Sequence, residues 1–173
     1  TAAVWLAWDA DRDVVYVTDC YRKSREVVAV HAAAIRRRGD WIPMSWPHDG
    51  MNTEKAGGLN LASEYEQHGV AMLPISARYE DDKGGGQPTE PIIMQVNQRM
   101  REGTFKVFRH LSPWFEEKRM YHRDANTKIV REKDDLLSGT HYGMMMMRYG
   151  QQAGLRSGHA KASFATSGFD PRD

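Results

Sequence analysis

The chain opens with TAAVWLAWDADRDVVYVTDCY, residues 1–21, and this stretch decides the fold class. Two runs rich in valine, aromatic residues and threonine, at 2–8 and 14–21, flank the polar segment DADRD at 9–13. Runs of this kind on either side of a short polar loop predict a β-hairpin. A sheet is therefore expected to begin at once, and the rest of the chain has to cover it.

Beyond the hairpin, helical and strand patterns alternate along the chain. The apolar spacing and end signals predict five helices, at about 24–38 (capped by Ser24, with Glu26 in the first turn), 56–68, 91–102, 113–120 and 134–149. Short apolar runs predict strands at 41–46, 70–73 and 104–108, and 121–130 has the pattern of a small hairpin. This alternation predicts an α/β domain in which helices flank a mixed central sheet.

Composition limits both the number of domains and the class of protein. The 173 residues carry 24 Lys and Arg against 23 Asp and Glu, a net charge of +1, which argues against a strongly basic nucleic-acid binder and leaves a weak or tethered one open. Cys20 is the single cysteine, so these residues contain neither an internal disulfide nor a cysteine-cluster zinc site. One domain is predicted over 1–149, followed at 150–173 by a flexible tail rich in Gly, Ser and Ala.

Three aspartates are candidate ligands for a metal ion. Asp49 follows an apolar run and stands between His48 and Gly50, where it could hold a hard cation at the rim of the sheet or simply form a turn. Asp134 and Asp135 stand at the start of the last predicted helix, where one carboxylate could cap the helix and leave the other for a ligand. His48 is a candidate accessory residue because it adjoins Asp49.

Two other conspicuous features have simpler explanations. The four methionines at 144–147 point in different directions on a helix, so they are predicted to fill the core rather than bind a metal. Basic residues, including those at 106–109, are interspersed with acids; some could line a phosphate-binding face, although solvated faces are the default expectation.

Four segments resemble one family. They are PMSWPHDG at 43–50, QRMREGTFKVF at 98–108, WFEEKRMYHRD at 114–124 and KIVREKDDLLSGTHYGM at 128–144. Together they are similar to the C-terminal nuclease domain of the large terminase subunit of tailed bacteriophages, from the opening hairpin to about Tyr149. The match that leads from DDLL into THY is the most specific.

The resemblance implies an RNase H-like fold and a metal-dependent endonuclease that cuts concatemeric double-stranded DNA during viral genome packaging. In the family a cluster of acids holds two divalent ions, Mg²⁺ or Mn²⁺; Asp49 matches its second acid, and Asp134 or Asp135 its third. The first acid precedes a run like TAAVWL, so it is expected upstream of Thr1, and the N-terminal part of the first strand is expected to be missing. Asp9, Asp11 and Asp13 lie at the opposite end of that strand.

The resemblance also implies partners and a location. The expected partners are DNA, an ATPase domain in the same polypeptide, the portal protein and the small terminase subunit, with no membrane involved. The expected location is the cytoplasm of the bacterial host. Two other functions stay open: a non-catalytic docking module that uses the segments at 76–88 and 150–173, and another RNase H-like nuclease such as a junction resolvase.

Overall fold

The predicted hairpin is present and forms the first two strands of the sheet. In this computed structural model β1 (Ala2–Asp9) pairs antiparallel with β2 (Val14–Arg22), and the register shifts between Trp5 and Leu6. The structure describes residues 1–51, 60–79, 89–122, 124–125, 129–130 and 133–151. The segments at 80–88 and 152–173, most of the predicted docking loop and tail, lie outside these residues.

A third strand makes the sheet mixed. β3 (Phe105–Val107) runs parallel to β2, with Val15 opposite Phe105 and Val17 opposite Val107, and the strand order is β1-β2-β3. The described helices are α1 (Val28–Arg36), α2 (Leu61–Gln67), α3 (Thr89–Glu102), α4 (Ser112–Met120) and α5 (Asp135–Met145), with short 3₁₀ turns at His48–Met51 and Met147–Tyr149. A mixed sheet flanked by helices confirms the predicted α/β architecture.

Both faces of the sheet are packed, because alternate strand residues point in opposite directions. The core on the α5 side joins β2 and β3 to α3, α4 and α5, and includes Val15, Val17, Ile92, Phe105, Trp114, Leu136 and Met144. The core on the α1 side is smaller and consists of Ala3, Trp5, Ala32, Ile35, Tyr65 and Val70. The predicted core role of the methionines is confirmed, since Met144, Met145 and Met146 are all buried.

Three local predictions differ from the structure. Ser24 and Glu26 precede α1, which begins at Val28, and Glu26 instead forms an ion pair with Lys23 at 2.7 Å. The strands predicted at 41–46 and 70–73 reduce to one parallel bridge between Met44 and Met72. Proline inside the first segment and directly after the second removes the amide hydrogens that a longer ladder needs.

Helix ends depend on caps and on glycine. Asn60 caps α2, because its side-chain oxygen accepts a hydrogen bond from the Ser63 amide at 2.8 Å, so this helix begins later than predicted. α3 ends before Gly103, which has a φ of +73°. The last helix ends at Met145, earlier than predicted, and a separate 3₁₀ turn covers Met147–Tyr149. Among the described residues, no helix is both long and apolar enough to cross a membrane.

Candidate functional site

The segment that carries Asp49 is held by the neighbouring Trp46. The Trp46 indole donates a hydrogen bond to the Leu73 carbonyl oxygen at 2.7 Å, and the Trp46 carbonyl accepts one from the Ala77 amide at 2.7 Å. Gly50 lies against the indole ring, where an added Cβ would stand 2.8 Å from a ring carbon. Only glycine allows this close approach. The adjacent Asp49 is left exposed on a short, well-anchored turn.

The same segment is joined to α5, the helix that Asp134 and Asp135 begin. The Ser45 hydroxyl donates a hydrogen bond to the Tyr142 carbonyl oxygen at 3.0 Å. On another side of α5, Gly143 and Gly139 let the helix lie close to β1, because added Cβ atoms would stand 2.7 Å from Leu6 and 3.4 Å from Val4. Both acid-bearing segments are therefore tied to one helix.

Asp134 and Asp135 do not cap α5 in the way that the sequence allowed. Asp134 occupies the N-cap position, but its side chain accepts no hydrogen bond from the amides of the first turn. Its carboxylate accepts a long hydrogen bond, 3.4 Å, from the Ser138 hydroxyl and is half-buried. Asp135 is the first residue of the helix and is exposed. The structure thus leaves both carboxylates available for a ligand.

Glu117 of α4 does the capping instead. One oxygen of its carboxylate accepts hydrogen bonds from the amides of Leu136 at 2.7 Å and Leu137 at 3.2 Å. The other oxygen accepts a hydrogen bond from the Arg22 guanidinium at the end of β2. An acidic side chain from another helix thus satisfies the free amides at the positive end of the helix dipole.

Burial and hydrogen bonding act in opposite directions on the Glu117 carboxyl. The residue is only 1% exposed, and burial raises the pKa of Glu117 above its ordinary value. The hydrogen bonds from the Leu136 and Leu137 amides, and then the bond and charge of Arg22, partly offset this rise. The charged form therefore depends on its partners, which makes Glu117 a positioning residue for the start of α5.

Sequence reasoning did not single out Glu117. Its helical spacing from the buried Trp114 is the available signal, since residues three apart share a helix face. Trp114 itself packs into the same α4–α5 contact, where its indole donates a buried hydrogen bond to the Thr140 hydroxyl at 2.9 Å. A carboxylate on an otherwise apolar face requires a partner, but the sequence does not say which one.

The predicted site residues lie in two places. Asp49 and the exposed His48 belong to the 3₁₀ turn, whereas Asp134 and Asp135 stand at the start of α5. Within the described part of the chain, no three His, Cys, Asp or Glu side chains stand together as a group that could hold a metal ion. That Asp49 shares ions with Asp134 and Asp135 stays a prediction, as does the accessory role of His48.

Comparison with known proteins gives consistent matches. The family model described as Terminase RNaseH-like domain matches residues 1–147. The large terminase subunit of Salmonella phage P22 is 43% identical over 148 residues, which are 86% of this chain and 29% of that protein. The large terminase subunit of Enterobacteria phage LP7 is 43% identical over 145 residues, 84% of this chain and 30% of that protein. The chain thus spans less than a third of the length of either relative.

A solved structure matches the three-dimensional fold as well. The structure of the P22 large terminase nuclease domain has a TM-score of 0.78 with this chain at 41% sequence identity. The match covers 87% of this chain and 76% of that one.

Proposed function

Because this chain belongs to the Terminase RNaseH-like domain family, we propose that it cleaves concatemeric double-stranded DNA during viral genome packaging. The family and the structural match confirm the RNase H-like fold expected from the sequence. The observation that carries the proposal is the 41% identity and TM-score of 0.78 to the P22 large terminase nuclease domain. The proposed partners are DNA, an ATPase domain in the same polypeptide, the portal protein and the small terminase subunit.

The proposed cofactors are two Mg²⁺ or Mn²⁺ ions, and the chemistry of the predicted ligands fits them. Such ions take hard oxygen ligands, and carboxylates are ionised at neutral pH. Asp49 and Asp135 are exposed, and the Asp134 carboxylate is not needed as a helix cap because Glu117 caps α5. All three carboxylates can therefore accept a cation. When bound, a pair of ions supplies an activated water and stabilises the leaving oxygen in phosphodiester hydrolysis.

The chain's own part in this chemistry is to hold carboxylates at defined positions. Asp49 is fixed by the Trp46–Gly50 packing, and the start of α5 is fixed by Glu117. Carboxylates brought close together repel one another, and a bound cation offsets that repulsion. Bound ions are therefore expected to stabilise the folded domain as well as to permit cleavage.

Plasmid cleavage tests the proposed function directly. The chain incubated with supercoiled plasmid is expected to produce nicked and linear DNA in Mn²⁺ or Mg²⁺, and no product in EDTA, because hydrolysis needs the ions. The products are resolved by agarose gel electrophoresis over a time course. Equal cleavage in EDTA contradicts the proposal, and so does the absence of cleavage with either ion in a chain extended upstream of Thr1 to include the expected first acid.

A further inference from the structure

One part of the sheet surface is left uncovered by the helices. Val15, Val17, Phe105 and Val107 point into the core on the α5 side, so the alternate residues Tyr16 and Lys106 point to the opposite face. On that face the buried residues of the α1-side core include none from β3. The result is an open recess of about 660 Å³ lined by Tyr16, Lys106, Val107, Phe108, Arg109 and His110.

The charged side chains that line this recess are all basic. Its lining contains Lys106, Arg109 and His110 but no carboxylate. Five basic residues elsewhere in the described chain form ion pairs with acids, namely Arg12, Arg22, Lys23, Arg38 and Arg99. Within the residues that the structure describes, neither Lys106 nor Arg109 forms an ion pair, and both are exposed. The surface therefore complements an anionic partner, although the whole chain is close to neutral.

Aromatic rings stand between these cations. The Phe108 ring lies edge-on to Tyr16, with centroids 6.4 Å apart, and to His110 at 5.9 Å. Phe108 is 44% exposed, and the Lys106 ammonium lies over the Tyr16 ring at 5.7 Å from its centroid. Cations contact phosphates, whereas exposed rings contact sugars and bases. The parallel register of β2 and β3 brings the two kinds of side chain together.

We propose that this recess, which we call the β3 basic face, binds the sugar–phosphate backbone of double-stranded DNA. Lys106 and Arg109 contact phosphates, and Phe108 packs against the sugars between them. The recess is open rather than enclosed, which suits a duplex backbone better than an extruded base. The inference rests on the proposed function and deepens it, because it names the surface that holds the substrate apart from the acidic residues.

Salt-dependent binding of a labelled duplex tests the β3 basic face. Fluorescence anisotropy with a duplex of about 20 bp is measured in EDTA between about 50 mM and 200 mM salt, so that no cleavage occurs. The variant Lys106→Ala/Arg109→Ala is expected to bind about tenfold more weakly at the lowest salt. The slope of log K against log salt should fall by about 1.8, because each lost phosphate contact removes about 0.9.

A matched control removes the same charge elsewhere. Arg37→Ala/Arg101→Ala changes two exposed arginines, one directly after α1 and one on α3, and is expected to weaken binding less than about threefold, by long-range electrostatics alone. Thermal melting checks that both double variants fold. The proposal is overturned if both double variants lose the same DNA affinity or if Lys106→Ala/Arg109→Ala binds as tightly as the unaltered chain. It is also overturned if the unaltered chain does not bind the duplex.

The two proposals fail separately. Because binding is measured in EDTA, a chain that binds through Lys106 and Arg109 but never cleaves plasmid contradicts the nuclease function and leaves the β3 basic face in place. A chain that cleaves plasmid in Mn²⁺ while the Lys106→Ala/Arg109→Ala variant binds normally contradicts the β3 basic face alone.

Discussion

Replacing Asp49 by asparagine is expected to reduce Mn²⁺-dependent plasmid cleavage by at least about 100-fold, or roughly 2.7 kcal/mol of transition-state stabilisation. Asparagine keeps the size of the side chain and removes the negative charge that a hard cation requires. The side chain is exposed on its turn, so the substitution removes no packing. The measurement is the initial rate of nicking at fixed Mn²⁺, compared with the unaltered chain.

Asp40→Asn is the matched control, since Asp40 is also an exposed aspartate on a connection near α1. It is expected to change the rate less than about twofold, as an exposed charge distant from the substrate contributes little. Mn²⁺ should also raise the melting temperature of the unaltered chain and of Asp40→Asn more than that of Asp49→Asn. A normal rate and a normal Mn²⁺ shift in Asp49→Asn contradict its role as a ligand.

The same two measurements distinguish Asp134 from Asp135. Each is replaced singly by asparagine, and the variant that loses the larger Mn²⁺ shift identifies the primary ligand. The Asp134 carboxylate accepts only a long hydrogen bond from Ser138, and among the described residues no hydrogen bond reaches the Asp135 carboxylate, so neither substitution removes an important contact. Normal cleavage by both single variants would leave α5 without a part in metal binding.

Replacing Arg22 by alanine is expected to lower the free energy of unfolding by roughly 2–4 kcal/mol at neutral pH. The substitution removes the cation that faces the Glu117 carboxylate, and that carboxylate is almost fully buried. Breaking a fully buried ion pair usually costs about 3–5 kcal/mol of stability. The expected cost is lower here because the Arg22 side chain is itself 36% exposed. Chemical denaturation followed by circular dichroism measures the loss.

This loss is expected to depend on pH. Burial raises the pKa of Glu117, so the folded state binds its proton more tightly than the unfolded state does. Stability attributable to this group therefore falls as the pH rises from the ordinary glutamate pKa through the raised one. Without Arg22 the folded pKa rises further, so the deficit of Arg22→Ala is largest at neutral pH and shrinks as the pH is lowered.

A double variant separates this explanation from a general loss of packing. Arg22→Ala/Glu117→Gln has no buried charge, so it should recover part of the stability lost in Arg22→Ala and lose the pH dependence of the deficit. Arg37→Ala, which removes an exposed arginine, is the control and should cost less than about 0.5 kcal/mol. A deficit in Arg22→Ala that is the same at all pH values contradicts the role assigned to Glu117.

The elements that the sequence predicted well are those with local causes. The strands β1 and β2 follow from two runs rich in valine, aromatic residues and threonine on either side of a polar loop, and β3 follows from the alternation of apolar and polar residues at 104–108. Helix α4 follows from Pro113 in its first turn. Gly103 ends α3 because its positive φ is accessible to glycine. Ser24 does not cap α1 because the helix begins only at Val28, after Arg25 with a φ of +61° and an extended Val27, and a capping residue acts only where a helix begins.

By itself the sequence determined the α/β class, the resemblance to terminase nuclease domains and the three candidate carboxylates, since all of these depend on short motifs or local periodicity. Only the tertiary structure decided that Glu117 caps α5 and that Tyr16, Lys106 and Phe108 share one open face. The partners of Glu117 lie 19, 20 and 95 residues away along the chain, at Leu136, Leu137 and Arg22. Contacts of that separation depend on how helices and strands pack, and no local pattern of residues encodes them.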